Sequence, residues 1–209
     1  MKRWILTPDK FLKEHEIKQV RNLLEEKTLV ALAKGQKKPV RDWVIIDIAL
    51  SSGLRASEIR NLKLKDIHVG KGESSIFVEN GKGSKDRLVL IGAKLKKHLK
   101  EYIGWKKTAG EPVKDKNYLL VSERAPKMTL SAIQKRFKVW MREAGLKTSY
   151  SIHSARHTYG TMLYRNTKDL RMVQKQLGHS SCQVTEVYAD VLNEDTEKAV
   201  NELYSQKEA

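Results

Sequence analysis

Five side chains in three short blocks can act on one phosphate. Arg55 lies in "SGLRASEI", His153 and Arg156 in "IHSARHTYGTML", and His179 and Tyr188 in "LGHSSCQVTEVYADV". Attack on a phosphodiester places extra negative charge on the non-bridging oxygens in the transition state. A guanidinium stays charged and binds two oxygens at once, so two arginines answer that charge well. A tyrosine can be the nucleophile. Free tyrosine has a pKa of about 10, so only about one in a thousand is phenolate at pH 7, and a base or nearby cations must help it. His153 and His179 can bond the phosphate or carry the tyrosine proton. Arg156 follows His153 by three residues, which puts both on one face of a helix.

The leaving group would be a 5′ sugar hydroxyl, which departs poorly unless protonated. The segment "NGKGSKD" at 80–86 offers Lys82, nearest the turn, and Lys85 as general acids. The same lysines would also suit a hairpin that only grips a phosphate backbone. "GKGSK" lacks the spacing of a nucleotide-binding loop. Each residue has a plainer reading too. The arginines can be surface residues, and Tyr188 can be a half-buried core tyrosine, since Val184, Val187 and Val191 recur around it at helical spacing. A zinc site is the competing chemistry, from His153 with His157 and His179 with Cys182. The metalloprotease spacing wants Glu at 154, where the chain has Ser154, and a basic pocket is a poor home for a dication. No metal and no other cofactor is expected.

These residues must be positioned by a mostly helical chain. Ile17, Val20, Leu23, Leu24 and Leu32 recur at helical spacing, and "KGQKKPVR" (34–41) reads as a basic loop. Val44 to Ser52 reads as a buried helix ending near Gly53. The period then changes: "SSIFVE" (74–79) and "RLVLI" (87–91) read as a hairpin around Asn80-Gly81 and Gly83, and "DIHV" (66–69) as a third short strand. Helical patterns resume at 93–107, 130–144, 153–164, 169–177 and 183–191, with a last amphipathic stretch carrying Ala199, Val200, Leu203 and Tyr204. The expected class is α+β, mostly α, with a small three-stranded antiparallel sheet.

The chain has 209 residues, enough for one domain, and a net charge of +16. That balance points to a polyanion, with nucleic acid first. The charge is uneven: Glu186 to Ala209 carries seven acids against two bases, so that end should face away from DNA or dock on a basic protein surface. Cys182 is the only cysteine, which rules out an intrachain disulfide. No apolar run is long enough for a signal segment or a membrane span, so a soluble, cytoplasmic, nucleoid-associated protein is expected.

The order of Arg, a hairpin Lys, His-x-x-Arg, Leu-Gly-His and then Tyr nine residues after His179 resembles the catalytic domain of the tyrosine recombinases, the phage integrase family. Each motif alone is weak, and five in this order are specific. The resemblance runs from about residue 40 to 192 and implies a DNA breaking–rejoining fold. By that likeness Arg55 and Arg156 clamp the scissile phosphate, Lys82 protonates the leaving oxygen, and His153 assists proton transfer. His179 bonds a phosphate oxygen, Tyr188 forms a 3′-phosphotyrosyl bond, and Glu58 buttresses the site from one helical turn after Arg55. It also implies strand exchange without metal or ATP, on a homotetramer assembled on double-stranded DNA through the C-terminal segment, with a monomer possible without DNA. Lys85, Arg87, Arg136 and Lys138 are the basic residues expected to touch DNA.

The expected organisation is a single catalytic domain: 1–40 as N-terminal helix and basic loop, 41–192 as core, 193–209 as acidic helix or tail. The stretch before the core is too short for the separate core-binding domain usual in the family. Three other readings stand beside this one: a relaxing topoisomerase of the same chemistry, a non-catalytic DNA binder on the same scaffold, and a zinc-dependent nuclease.

Overall fold

The computed structural model describes residues 10–79, 86–179 and 183–188. Helix α1 (Glu14–Ala33) packs antiparallel to α2 (Lys37–Ser52), the central helix. Val44, Ile45, Ile46, Ile48 and Ala49 of α2 are all fully buried, because α1, α4, α5 and α6 cover it on several sides. Its buried charged residues are each paired. Asp47 takes Arg21 and His98, and Arg41 and Lys106 share Glu111 at 2.7 Å each.

The expected loop at 34–41 is shorter than its composition suggests, since α2 already begins at Lys37. Pro39 sits in the first turn, where an amide hydrogen would have no intrahelical partner, so the proline costs little. Arg41 is then a buried helix residue.

The end of α2 sets up the site. Gly53 adopts φ +64°, and a Cβ there would lie 2.5 Å from the Tyr159 ring and 2.7 Å from Leu177. Only glycine turns the chain here so closely under its neighbours. The chain then runs through Leu54 and Arg55 into the short helix α3 (Ala56–Asn61), followed by a single 3-10 turn (Leu64–Asp66).

Strands β1 (Ile67–His68), β2 (Ser75–Val78) and β3 (Arg87–Leu90) form the three-stranded antiparallel sheet the alternation predicts, in the order β1-β2-β3. Ile67 pairs with Ile76, and Val78 with Arg87. Ile76, Val78 and Val89 face the core while Leu88 and Leu90 face out, the two-residue period of a sheet with one face covered. The tip that joins β2 to β3, with Lys82 and Lys85, lies outside the described residues.

Helices α4 (Ala93–Thr108), α5 (Leu130–Glu143), α6 (Ile152–Thr167) and α7 (Leu170–Leu177) follow, close to their expected bounds. The expected helix at 183–191 is described only as α8 (Gln183–Glu186), and Tyr188 sits in the turn after it, its amide bonded to the Thr185 carbonyl at 3.0 Å. Residues 189–191 and the acidic stretch beyond them lie outside the described residues. Among the described residues no helix is long and apolar enough to cross a membrane.

Candidate active site

The site forms where the end of α2, the start of α6 and the C-terminal end of α7 meet. Three successive backbone carbonyls at the end of α7 each face a different arginine. The Gln176 carbonyl accepts from Arg87 Nε at 3.2 Å, that of Leu177 from Arg156 Nη2 at 2.6 Å, and that of Gly178 from Arg55 Nη2 at a long 3.5 Å. The last carbonyls of a helix lack intrahelical donors and form its negative pole, so cations gather there.

Arg156 is 2% exposed, and its other fork nitrogen reaches the Gly53 carbonyl at 2.6 Å. Burial, and then the nearby Arg55, pull its pKa down to about 10, which still leaves it charged at neutral pH. Arg55 is more open. Its Nη1 meets Glu58 Oε1 at 2.8 Å, and its backbone amide meets Glu58 Oε2 at 2.8 Å. It lines a cleft of about 310 Å³ with Gln134, Lys138, Ser151 and His153.

His153 is exposed at the mouth of that cleft on the first turn of α6. Partial burial, then Arg156 and Arg55, lower its pKa. His179 bonds the Thr185 hydroxyl through Nδ1 at 3.0 Å and lies nearly parallel to the Tyr188 ring, with centroids 6.2 Å apart. Burial and the Arg156 and Arg55 charges lower its pKa to about 3.

Tyr188 is 1% exposed. Its ring rests against Gly160 of α6, where a Cβ would come within 2.6 Å of Cζ. Its hydroxyl lies 3.3 Å from His157 Nδ1. Burial pushes its pKa up to about 12, against the downward pull of Arg156 and Arg55. Burial also holds His157 down at about 4, helped by His153 and Arg156. A neutral histidine therefore faces a neutral phenol, and the phenol is the natural donor.

The structure brings Arg55, Glu58, His153, Arg156, His179 and Tyr188 together. Lys82 and Lys85 lie outside the described residues. Two of the arginines expected to touch DNA bond carboxylates of this chain. Arg87 does not present its guanidinium outward: Nη1 and Nη2 each meet one oxygen of Glu58 at 2.9 Å. Arg136 closes on Asp42, its Nε 2.7 Å from Oδ1, with Nη2 bonded to Oδ2 as well. Both carboxylates are buried and need a counter-charge, which these arginines supply. Lys138 stays exposed at the cleft.

His157 is the residue the sequence undervalued, having been read only as half of a zinc pair. Its place one turn beyond His153, next to Arg156, was the available signal. Among the described residues no group of three His, Cys, Asp or Glu side chains is disposed to hold a metal ion.

The phage integrase family profile matches residues 10–195, and the chain belongs to that family. A tyrosine recombinase XerC from Caldanaerobacter subterraneus subsp. tengcongensis is 35% identical over 181 residues, covering 86% of this chain and 49% of the relative. A XerD from Ralstonia nicotianae is 36% identical over 155 residues, covering 74% and 50%. Among solved structures, the XerA recombinase matches with a TM-score of 0.71 at 29% identity, over 95% of this chain and 65% of that one. XerH bound to its palindromic difH substrate, in a post-cleavage complex, matches with a TM-score of 0.74 at 25% identity, over 94% and 53%. The chain spans about half the length of the two curated relatives described here.

Proposed function

We propose that this chain carries the catalytic unit of a site-specific DNA recombinase that breaks and rejoins strands through a 3′-phosphotyrosyl bond. The observation that carries the reading is the convergence of Arg55, Arg156, His157 and His179 on one tyrosine, with His153 beside His157 and lining a cleft with Arg55 and Lys138. Family membership and the DNA-bound XerH relative support it.

In the proposed reaction the Tyr188 oxygen attacks the scissile phosphorus and the bond from phosphorus to the 5′ oxygen breaks. Arg55 and Arg156 hold the non-bridging oxygens, and His179 bonds one of them. The tyrosine proton passes to a histidine, with His157 in reach of the hydroxyl and His153 assisting at the cleft. Lys82 donates a proton to the leaving 5′ oxygen. A second strand's 5′ hydroxyl then attacks the phosphotyrosyl linkage, and the tyrosine recovers its proton as it leaves. The charge needed at the phosphate is supplied by arginine, so neither metal nor ATP enters a step.

The buried hydroxyl bears on when this happens. Without DNA, Tyr188 is held protonated against His157, so the reaction begins with its movement toward the bound phosphate. Strand exchange would occur on a tetramer on double-stranded DNA, with the acidic 194–204 stretch as the intersubunit contact and 1–209 acting as one catalytic domain.

The test is incubation with a pool of nicked, randomised duplexes in EDTA, followed by SDS electrophoresis. Wild-type protein is expected to form denaturant-resistant adducts and Tyr188→Phe none. DNA binding without adducts from the wild type would favour a non-catalytic binder, and strand cleavage without adducts that needs added metal would favour a nuclease.

A further inference from the structure

We propose that Arg87 is a positioning residue that acts through Glu58 to keep Arg55 aimed at the scissile phosphate. The inference rests on the recombinase reading for its reaction, and on the geometry around Glu58 for its substance.

Glu58 is 8% exposed and accepts from four donors. Oε1 takes Arg55 Nη1 at 2.8 Å and Arg87 Nη1 at 2.9 Å, while Oε2 takes the Arg55 amide at 2.8 Å and Arg87 Nη2 at 2.9 Å. A carboxylate offers about four acceptor directions, so Glu58 is saturated. Burial raises its pKa, yet the Arg87 bonds and charge, followed by those of Arg55, bring the net value below the ordinary one, so it is anionic at neutral pH.

The consequence concerns Arg55. Were Arg87 absent, a buried anion would have Arg55 as its one guanidinium partner and would draw that fork down upon itself. With Arg87 clamped across both oxygens, Arg55 contributes one guanidinium nitrogen to Glu58, and its Nη2 has a 3.5 Å contact with the Gly178 carbonyl that a phosphate oxygen can displace.

Arg87 is itself held from behind. Its Nε donates to the Gln176 carbonyl, and its Cδ, Nε and Cζ lie 2.8, 2.9 and 3.0 Å from where a Cβ at Gly178 would stand. Gly178 leaves the space in which Arg87 lies. Arg87 is also the first residue of β3, on the strand that leaves the lysine-bearing hairpin. One side chain thus ties that strand, the end of α7 and Arg55 together.

The test uses a nicked duplex carrying a site recovered from the adduct pool. Single-turnover cleavage is compared for wild type, Arg87→Met, Arg55→Ala and the double variant, with duplex affinity measured beside each. The expected result is a cleavage loss of about 100-fold for Arg87→Met, the scale of a small misplacement of a catalytic group, with affinity nearly unchanged. The double variant should be no slower than Arg55→Ala, since the two act in series. Replacing the scissile phosphate by a methylphosphonate, which removes the charge Arg55 must meet, should shrink the Arg87→Met defect. Arg87→Lys, which keeps charge without the fork, should fall between.

Additive losses in the double variant, or a cleavage loss matched by the loss of affinity, would overturn the proposal and return Arg87 to a backbone contact or a structural strut. Arginine side-chain 15N spectra of the DNA-free protein decide the matter separately. The Arg55 signals should move in Arg87→Met and stay near their wild-type positions in Arg87→Lys; unchanged signals in Arg87→Met would overturn the proposal. A wild-type protein that forms no adduct counts against the recombinase reading, and the spectra still judge the clamp.

Discussion

At the scale of single residues, the site is a set of neutral histidines under two fixed positive charges. His157 and His179 are held at about 4 and 3 by burial and by the arginines. In the unfolded chain they titrate near 6.5, so below that pH the unfolded state binds more protons than the folded one. Their contribution to stability is therefore complete above about pH 6.5 and is lost as the pH falls toward 4. Thermal unfolding between pH 7 and 4.5 should show this decline, and the double variant His157→Gln/His179→Gln should show a flatter one. An equal slope would mean that the histidines are solvated in the folded protein. The Tyr188–His157 contact makes a second prediction. Tyr188→Phe, His157→Phe and the double variant, compared by urea unfolding, should yield a coupling of about 1 kcal/mol, the scale of one buried hydrogen bond between the two side chains. The types and order of these residues were legible in the sequence, because polar groups at helix starts and turns leave local patterns. The pairing of Arg87 with Glu58 was not, since 29 residues separate them and a basic residue on a hairpin reads as a DNA contact in any basic chain.

At the scale of elements, the turn after α2 and the end of α7 do the positioning. Gly53 has a left-handed backbone and stands under Tyr159 and Leu177. Gly53→Ala should destabilise the chain by about 1–2 kcal/mol from backbone strain alone, with a further loss from the side-chain clash. Thermal or urea unfolding measures this, and a neutral result would mean that the turn is not built as described. Helical and alternating periodicity revealed most elements, because each buries one face. Two boundaries failed for physical reasons. The composition of 34–41 is that of a loop, but a proline in a first helical turn breaks no bond, so α2 begins inside it. The valines around Tyr188 have helical spacing, yet α8 is described only to Glu186 and the tyrosine is placed by a turn. Its ring packs on Gly160 and beside His179, contacts that leave no periodic signal.

At the scale of the whole molecule, a net charge of +16 accompanies a cleft that holds Arg55 and Lys138. Affinity for duplex DNA should fall steeply with salt as counterions are retained, and Lys138→Ala should reduce the slope of log affinity against log salt by about one. An unchanged slope would remove Lys138 from the backbone contacts. The overall class, α with a three-stranded sheet, followed from the periodicity and the order of motifs. The redirection of Arg136 onto buried Asp42 did not, because nothing local marks Asp42 as buried. The central claim is that Tyr188 forms the covalent bond to DNA. The most direct measurement is mass spectrometry of the trapped adduct after nuclease and trypsin digestion. The expected result is a nucleotide mass, joined through its 3′ phosphate, on the Tyr188 of the peptide running from Gln176 to Lys198. The same mass on a serine, a threonine or another tyrosine, or no covalent nucleotide at all, would contradict the claim.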